Sequence, residues 1–235
     1  MSIKLSNISV TYNKGLRSEK SVLRDVFLDV TQGEFVAVIG NNGTGKSTLA
    51  KVIAGEVIAD KGELVIGGKN VTTLRDFERS NLISRVFQDP NKGTAPNLTV
   101  MENLAFANSR GKSRTFNLSI NESIKSSLIK KLEMLGVGLD KRFDEPVSML
   151  SGGQRQILSL LMAVLQPAKV LLLDEHTAAL DPDAAALVMK FTHQFLRDRN
   201  ITTIMITHDM SELVYCDAVY VIDGGDIKKV DKSPS

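Results

Sequence analysis

The sequence is poor in cysteine and in aromatic residues. It has one cysteine, Cys216, and no tryptophan, and aromatic residues make up 5% of its 235 residues. A single cysteine excludes an internal disulfide, which fits a reducing compartment. We expect Cys216 to be a small apolar residue of the core.

An excess of charge of one sign and long apolar runs are also missing. The net charge is +2, from 29 basic and 27 acidic residues, which is too balanced to favour nucleic acid or an anionic membrane as the main partner. The N-terminus has no apolar signal-peptide core, and no apolar run reaches the roughly 20 residues that cross a bilayer. If the protein works at a membrane, we expect another chain to hold it there.

The residues that are present predict an α/β protein. Hydrophobic residues make up 43% and charged residues 24%, as in globular proteins that bury a sizeable core. The segments EFVAVIG, LISRVFQ, KVLLLDE and TTIMITHD predict buried strands, and KSTLAKVIAGE and GQRQILSLLMAVLQ predict helices. GELVIGGKNV predicts a hairpin that turns at Gly67-Gly68. This alternation predicts a mostly parallel sheet with ligands at the carboxyl ends of its strands.

The segment from about residue 91 to 150 has a different composition, rich in Asn, Ser and Lys. It carries a helical stripe of apolar residues: Ile124, Leu128, Ile129, Leu132 and Leu135. We therefore predict one domain over residues 1–235. Its core and antiparallel β subdomain come from 1–90 and 151–235, and a helical subdomain is inserted at about 91–150. After His208 we expect only a short tail.

GNNGTGKST matches the phosphate-binding pattern G-x-x-x-x-G-K-[ST] and lies between a predicted strand and a predicted helix. Its glycines let backbone N–H groups point at an anion, and the helix N-terminus adds positive charge. Lys46 would reach the β- and γ-phosphates, and Ser47 would bind Mg²⁺. The alternative is a glycine-rich turn. The candidate nucleotide-binding residues are Gly40, Asn41, Asn42, Gly43, Thr44, Gly45, Lys46, Ser47 and Thr48.

KVLLLDE delivers two carboxylates at the end of a buried strand. Asp174 can hold Mg²⁺, directly or through water. Glu175 follows where the backbone starts to turn, so it can swing toward a γ-phosphate and orient an attacking water. The alternative is a solvated acidic loop.

LSGGQ, from Leu150 to Gln154, precedes a helix that we expect to start near Gln154. Ser151 is typical of a helix cap, and the two glycines leave the backbone exposed, so this is a second helix start suited to an anion. Alone it could be only a cap. With the phosphate loop and LLLDE in this order, the sequence resembles the nucleotide-binding domain of ABC transporters over roughly residues 3–230.

The resemblance implies roles for further residues. Tyr12 would stack on adenine, and Asp181 would lie at a dimer contact. Gln88 would touch Mg²⁺ and water, and His208 would contact the γ-phosphate. His193 lacks such a context, and we expect a solvated helix residue there. The second anion-binding segment consists of Ser151, Gly152, Gly153 and Gln154.

The resemblance also implies an assembly. Two copies would pack head to tail, so that the phosphate loop of one and the LSGGQ of the other clamp each ATP. Loss of the γ-phosphate would loosen this dimer and move membrane subunits docked near Gln88 and the helical insertion. The expected cofactors are ATP and Mg²⁺. The expected partners are integral membrane permease subunits and a substrate-binding protein, with no nucleic acid, at the cytoplasmic face of a bacterial membrane.

Three functions stay open. The first is the ATPase subunit of an importer of a small solute such as an amino acid. The second is the ATPase subunit of an exporter with separate membrane chains. The third is a soluble ABC ATPase that acts on DNA or ribosomes, which the absence of a coiled-coil insertion and of a basic stripe disfavours.

His176 follows the two carboxylates where most members of the family have proline. It could be a metal ligand, although no second His or Cys stands at ligand spacing. It could be a second general base or a pH sensor, although strand alternation would turn it away from the phosphate if Glu175 faces it. We favour a local structural variant, because DEHTAALD resembles a bacterial branch of importer-type ATPases.

Overall fold

The computed structural model describes residues 2–109, 125–126, 129–130, 133, 138–165 and 168–230. The chain divides into two compact units. The first unit comprises Met1–Arg85, Ala168–Glu175 and His193–Ser235. The second unit comprises Val86–Pro167 and His176–Thr192.

The strands form two sheets. Their bounds are β1 Ile3–Tyr12, β2 Lys20–Val30, β3 Phe35–Ile39, β4 Lys61–Ile66, β5 Lys69–Asn70, β6 Ile83–Val86, β7 Val170–Asp174, β8 Thr202–Ile206, β9 Ala218–Asp223 and β10 Asp226–Val230. The larger sheet has the order β10-β9-β3-β8-β7-β6 and the smaller one the order β2-β1-β4-β5. The α-helices with described bounds are α1 Lys46–Ala54, α2 Asp76–Arg79, α3 Val100–Asn108, α4 Gly152–Val164 and α5 Pro182–Asp198.

The larger sheet is mostly parallel, as the sequence predicts. β3 pairs in parallel with β8 and β9, β7 pairs in parallel with β8, and β10 closes the edge antiparallel to β9. The apolar runs of β3, β7 and β8 are buried nearly throughout. Apolar side chains on both faces explain why these strands lack the alternation of a half-exposed strand.

The smaller sheet is antiparallel. β1 pairs with β2 on one side and with β4 on the other, and β4 turns into β5 at the predicted glycine pair Gly67-Gly68. Both glycines have positive φ, which a two-residue hairpin turn requires.

Helix α1 packs on one face of the larger sheet. Leu49 and Ile53 of α1 join Val170 and Leu172 of β7 in the main apolar cluster. Since side chains alternate along a strand, Asp174 continues the same face of β7 as Val170 and Leu172. The last residue of β7 therefore presents its carboxylate on the side that α1 covers.

The second unit contains α3, α4 and three short 3₁₀ turns among its described residues. Thr99 caps α3 and Ser151 caps α4, each in a reciprocal capping box with a side chain three residues later. Part of the predicted helical stripe, namely Ile124, Leu128, Leu132 and Leu135, lies outside the described residues. The inserted helical subdomain stays a prediction.

Two expectations need correction. Helix α4 begins at Gly152 rather than near Gln154, because the cap at Ser151 places both glycines inside the first turn. The chain after His208 is not a tail: it forms a 3₁₀ turn, β9 and β10, and β9 is an internal strand of the larger sheet. The apolar run of β9 was not recognised as a core strand, although the glycine pair Gly224-Gly225 directly follows it and turns the chain into β10.

Cys216 is buried, as expected of an apolar core residue. Within the part of the chain that the structure describes, none of the helices has the length and apolar composition of a membrane span.

Candidate functional site

The loop between β3 and α1 packs closely against neighbouring backbone. Gly40 has φ 155 and Gly45 has φ 117. A Cβ at Gly40 would lie 2.3 Å from the carbonyl oxygen of Ile222, and one at Gly45 would lie 3.0 Å from the carbonyl oxygen of Val22. Both positions therefore require glycine, for conformation and for space.

Lys46 holds the loop in shape. Its buried Nζ donates hydrogen bonds to the carbonyl oxygens of Gly40, at 2.6 Å, and Asn41, at 2.9 Å. Gly45 precedes α1 without a side-chain cap, so the first N–H groups of the helix are open to an anion. The ammonium and the helix start together make this loop a site for phosphate.

A cavity of about 470 Å³ opens beside the start of the loop. It lies at the carboxyl ends of β3, β7 and β8, where open parallel sheets bind ligands. Its lining consists of Ile39, Gly40, Asn41, Asn42, Glu175, His208, Met210 and Val221.

Glu175 and His208 meet in this cavity. Glu175 adopts φ 47 directly after β7, and its N–H donates to the carbonyl oxygen of Ile206 at 2.9 Å. This turn of the backbone, which the sequence predicts, brings its Oε1 to 3.7 Å from Nδ1 of His208. The side chains of Glu175 and His208 are 22% and 58% exposed, so both are within reach of a ligand.

The turn after β8 fixes the position of His208. The N–H of Asp209 donates to the Thr207 hydroxyl at 3.0 Å, and the carboxylate of Asp209 accepts from the N–H and hydroxyl of Ser211. The hydrogen bonds from Ser211 lower the pKa of Asp209, with a further contribution from the nearby His208. The carboxylate of Asp209 therefore acts as a cap for the following turn.

Asp174 has an ion-pair partner that no motif indicates. Nη2 of Arg85, on β6, donates to its Oδ2 at 2.6 Å. Nη1 of the same guanidinium pairs with the carboxylate of Glu56, which follows α1. Arg85 thus joins the end of β7 to the segment after α1.

His176 lies outside the cavity lining, as strand alternation predicts. Its side chain is 1% exposed, and neither ring nitrogen has a hydrogen-bond partner among the described residues. Burial lowers the pKa of His176 to about 4, so the imidazole is neutral at physiological pH.

In the second unit, Ser151 caps α4. Its hydroxyl accepts from the N–H of Gln154 at 3.2 Å, and Oε1 of Gln154 accepts from the N–H of Ser151. Arg142 donates to the same Oε1 at 2.8 Å and pairs with Glu145, which lowers the pKa of Glu145. The amide oxygen of Gln154 therefore already accepts two hydrogen bonds, one from Ser151 and one from Arg142.

The two glycines of this segment are positions of close approach. A Cβ at Gly152 would lie 3.3 Å from a methyl of Leu180, and one at Gly153 would lie 3.2 Å from Cβ of Ala184. Larger side chains at either position would push the start of α4 away from these neighbours.

Gln88 and Asp181 also belong to the second unit, and both are exposed. Nε2 of Gln156, which is buried, donates to the carbonyl oxygen of Phe87 at 3.0 Å and so fixes the backbone beside Gln88. Asp181 caps α5, because its carboxylate accepts from the N–H of Ala184 at 3.0 Å. The structure thus assigns Asp181 a local role as a helix cap.

The predicted site residues therefore fall into two groups. The phosphate loop, Asp174, Glu175 and His208 lie in the first unit, and Gln88, Asp181 and the segment 151–154 lie in the second. Tyr12 ends β1 in the first unit, half-buried and outside the cavity lining. Arg85, Arg142 and Gln156 were not predicted, because each acts through a partner far along the chain or in a turn without a motif.

The expectation for His193 was wrong in part. It lies in helix α5, as expected, but it is half-buried rather than solvated. Its ring lies 6.5 Å from that of Phe35 and 5.4 Å from that of Tyr215, between ring centroids. Its imidazole has a structural role in packing.

Among the described residues, no three His, Cys, Asp or Glu side chains come together as a metal site. A nucleotide-bound Mg²⁺ needs only one or two protein oxygens, since phosphates and water supply the others. The hydroxyl of Ser47, which is exposed in the first turn of α1, and the carboxylate of Asp174 on the α1 side of β7 fit this donor set.

A parallel sheet, a glycine loop closed by a buried lysine and two acidic residues at a strand end define a P-loop nucleoside triphosphatase. A sequence model of the family described as "ABC transporter" matches residues 23–178. The "Tyrosine transport ATP-binding protein" of Clostridioides difficile (strain R20291) is 39% identical over 96% of this chain and 90% of its own length. An "Energy-coupling factor transporter ATP-binding protein" of Leuconostoc mesenteroides is 32% identical over 99% of this chain and 81% of its own length.

Solved structures agree in fold. The dimeric post-hydrolysis state of an ATP-binding cassette with ADP and Pi has a TM-score of 0.81 at 25% identity, covering 99% of this chain and 100% of that one. The structure of cbiO1 from Clostridium perfringens, described as part of an ABC transporter complex, has a TM-score of 0.80 at 27% identity, covering 96% and 86%. The chain belongs to the ABC transporter family and is an ATP-binding subunit of this family.

Proposed function

We propose that this chain hydrolyses ATP to energise an ABC transporter of several subunits, an importer of a small solute such as an amino acid. The observation that carries the proposal is the meeting of Glu175 and His208 in a cavity beside the phosphate loop, with Oε1 and Nδ1 at 3.7 Å. A general base and a polar group that can reach the same phosphate are what hydrolysis by a water molecule requires.

Each residue of the first unit then has a role. Lys46 exchanges its two carbonyl partners for phosphate oxygens when nucleotide enters, and the first N–H groups of α1 bind the same phosphates. Glu175 orients the attacking water, and His208 contacts the γ-phosphate. Tyr12, half-buried at the end of β1, offers its ring to the adenine.

Magnesium would supply positive charge against the β- and γ-phosphates when it is bound with ATP. We assign Ser47, Asp174 and Gln88 to it. Asp174 presents its carboxylate on the α1 side of the sheet, and Gln88 is exposed two residues after the end of β6.

A second copy of the chain completes the proposed site. The segment Ser151, Gly152, Gly153 and Gln154 would approach the ATP held by the phosphate loop of the partner, and Asp181 would lie at the same contact. The start of α4 supports this role, since its side-chain cap accepts from the N–H of Gln154 and leaves other N–H groups of the first turn for an anion. The dimeric post-hydrolysis cassette is a solved precedent for such a pair.

The proposed partners in the membrane are permease subunits, with this chain at the cytoplasmic face of a bacterial membrane. A substrate-binding protein would deliver the solute. The name of the C. difficile relative, a tyrosine transport ATP-binding protein, supports an amino acid as cargo.

The names of the energy-coupling factor relatives and of the cbiO1 complex favour a second candidate, an ATPase subunit of an energy-coupling factor transporter. Export, or a soluble ATPase without a membrane partner, remain weaker alternatives because no relative named above supports them.

The test is co-purification and transport. The chain is co-expressed with the membrane subunits encoded beside its gene, reconstituted in vesicles, and assayed for ATP-dependent uptake of labelled tyrosine and other amino acids, with Lys46→Ala as the inactive control. Uptake of an amino acid by the wild-type complex but not by the Lys46→Ala complex supports the importer. Stable complexes that hydrolyse ATP but move no amino acid would refute the proposed cargo, and absence of any membrane complex would refute the transporter role.

A further inference from the structure

We propose that Arg85 is a positioning residue for Asp174 that makes binding of a divalent cation conditional on nucleotide. This inference rests on the proposed function. It concerns the ion pair between Nη2 of Arg85 and Oδ2 of Asp174, at 2.6 Å, and the pair of the same guanidinium with Glu56.

The position of Arg85 follows from the sheet. Ile83 belongs to the apolar cluster that α1 covers, and so do Val170 and Leu172 of β7. Alternation therefore places Arg85 on the same face as Ile83, and Asp174 on the same face as Leu172. Two neighbouring strands thus present a guanidinium and a carboxylate side by side under α1.

Two anchors keep the guanidinium in place. Arg85 is held at one side by Asp174 at the end of β7 and at the other by Glu56 just after α1. The side chains of Arg85 and Asp174 are only 12% and 17% exposed. Limited exposure reduces screening by water, so the positive charge acts on Asp174 more strongly than a surface lysine would.

The consequence for a metal ion has two parts. One carboxylate oxygen of Asp174 is occupied, which leaves Oδ1 as the oxygen for a cation or its water. The charge of the carboxylate is also compensated, and no third acidic or imidazole ligand is gathered here among the described residues. Asp174 alone is then a poor cation site, and the phosphates of a nucleotide must supply the missing negative charge.

Loss of Arg85 has two opposing effects on the affinity for the cation, and their magnitudes decide whether the affinity falls or rises. Loss of Arg85 would free the carboxylate to rotate, which costs metal affinity about threefold at most, since three rotamers compete. It would also remove a unit positive charge a few ångströms from a divalent cation, which changes affinity on the order of tenfold even with screening like that of water. The charge effect is larger, so we expect affinity to rise when Arg85 is replaced.

The test measures Mn²⁺ binding by electron paramagnetic resonance, with and without ADP, on the full chain. Wild type should bind Mn²⁺ weakly alone and tightly with ADP. Arg85→Met should bind Mn²⁺ without ADP about tenfold more tightly than wild type. The matched control is Arg197→Met, which removes an arginine paired with Asp217 at the opposite end of β3 and should match wild type within about twofold.

Two further variants keep the proposal testable if Arg85→Met does not fold, as checked by thermal melting. Arg85→Lys retains the charge and should bind Mn²⁺ alone within about threefold of wild type. Glu56→Gln removes one of the two ion pairs of Arg85 and keeps the pair with Asp174, so it should not tighten Mn²⁺ binding. The proposal is overturned if Arg85→Met binds no more tightly than wild type, if Arg85→Lys binds as Arg85→Met does, or if Glu56→Gln tightens binding.

Failure of the underlying nucleotide site gives a different result. If wild type does not bind Mn²⁺ more tightly with ADP than without, the assignment of Asp174 to the metal of the nucleotide fails, and the inference about Arg85 fails with it. If wild type shows the ADP dependence and Arg85→Met does not change it, only the role of Arg85 is refuted.

Discussion

Oε1 of Glu175 lies 3.7 Å from Nδ1 of His208, although the two residues are far apart in the sequence and follow different strands, β7 and β8. The two strands are neighbours in the parallel sheet, so their carboxyl ends place both side chains at one cavity. The distance is too long for a good hydrogen bond, which leaves room for both groups to reorient toward a phosphate and a water.

His208→Gln should lower kcat for ATP by about 100-fold or more and leave KM within about threefold. The imidazole is proposed to act on the transferred phosphate, and loss of such a group typically costs 10²–10⁴ in rate. Steady-state phosphate release measures it. His193→Gln is the matched control, because that ring packs on Phe35 and Tyr215, and it should keep near-normal turnover. Normal turnover in His208→Gln would contradict the assignment.

His176→Pro should keep ATP turnover within a few-fold of wild type. Neither ring nitrogen of His176 has a hydrogen-bond partner among the described residues, so replacement removes no side-chain hydrogen bond found there. The residue before proline is restricted, however, and Glu175 has φ 47, so a modest loss is expected from a shift of that backbone. The view of His176 as a structural variant fails if turnover drops as far as in Glu175→Gln.

The folding stability should fall as the pH drops from 6.5 toward 4. Burial lowers the pKa of His176 to about 4, so below pH 6.5 the unfolded chain takes up a proton at this residue and the folded chain does not. The loss at pH 5 is about 2 kcal/mol from this residue. Chemical denaturation at pH 7.5 and pH 5, without nucleotide and metal, measures it. His176→Gln should reduce the difference between the two pH values, and an unchanged difference would contradict the prediction.

Arg79→Met should destabilise the first unit by about 2–4 kcal/mol. The buried guanidinium donates to the carbonyl oxygens of Val52, at 2.6 Å, and Ile53, at 2.9 Å, and so satisfies the end of α1. Burial lowers the pKa of Arg79 to about 10, which leaves it charged at neutral pH. Urea denaturation tests this, with exposed Arg17→Met expected within about 0.5 kcal/mol of wild type. Equal stability of the two variants would refute the role.

Local patterns in the sequence predicted several of the elements that carry the candidate site residues. The apolar runs of β3, β7 and β8, the glycine loop and the cap at Ser151 were each confirmed, because each depends on neighbours within a few residues. The meeting of the glycine loop with the ends of β7 and β8 at one edge follows from the rule that parallel strands carry ligands at their carboxyl ends.

Contacts between distant residues were not predictable in the same way. Arg85 and Arg79 resemble ordinary surface cations in the sequence, and only the fold shows the carboxylates and carbonyls that hold them. The place of β9 beside β3 could not be predicted for a related reason, since the order of strands in a sheet depends on pairing between distant segments. Whether a polar side chain is buried depends on the partners that bind it, and in these cases the partners lie far along the chain.

In the proposed assembly, two copies of the chain complete each ATP site. The most direct measurement is the solution mass of Glu175→Gln by light scattering after size exclusion, with and without ATP in the absence of Mg²⁺. We expect an ATP-dependent doubling of the mass, which Ser151→Arg should abolish because a long charged side chain would enter the contact. A mass that stays that of one chain at saturating ATP, with ATP shown to be bound, would contradict it.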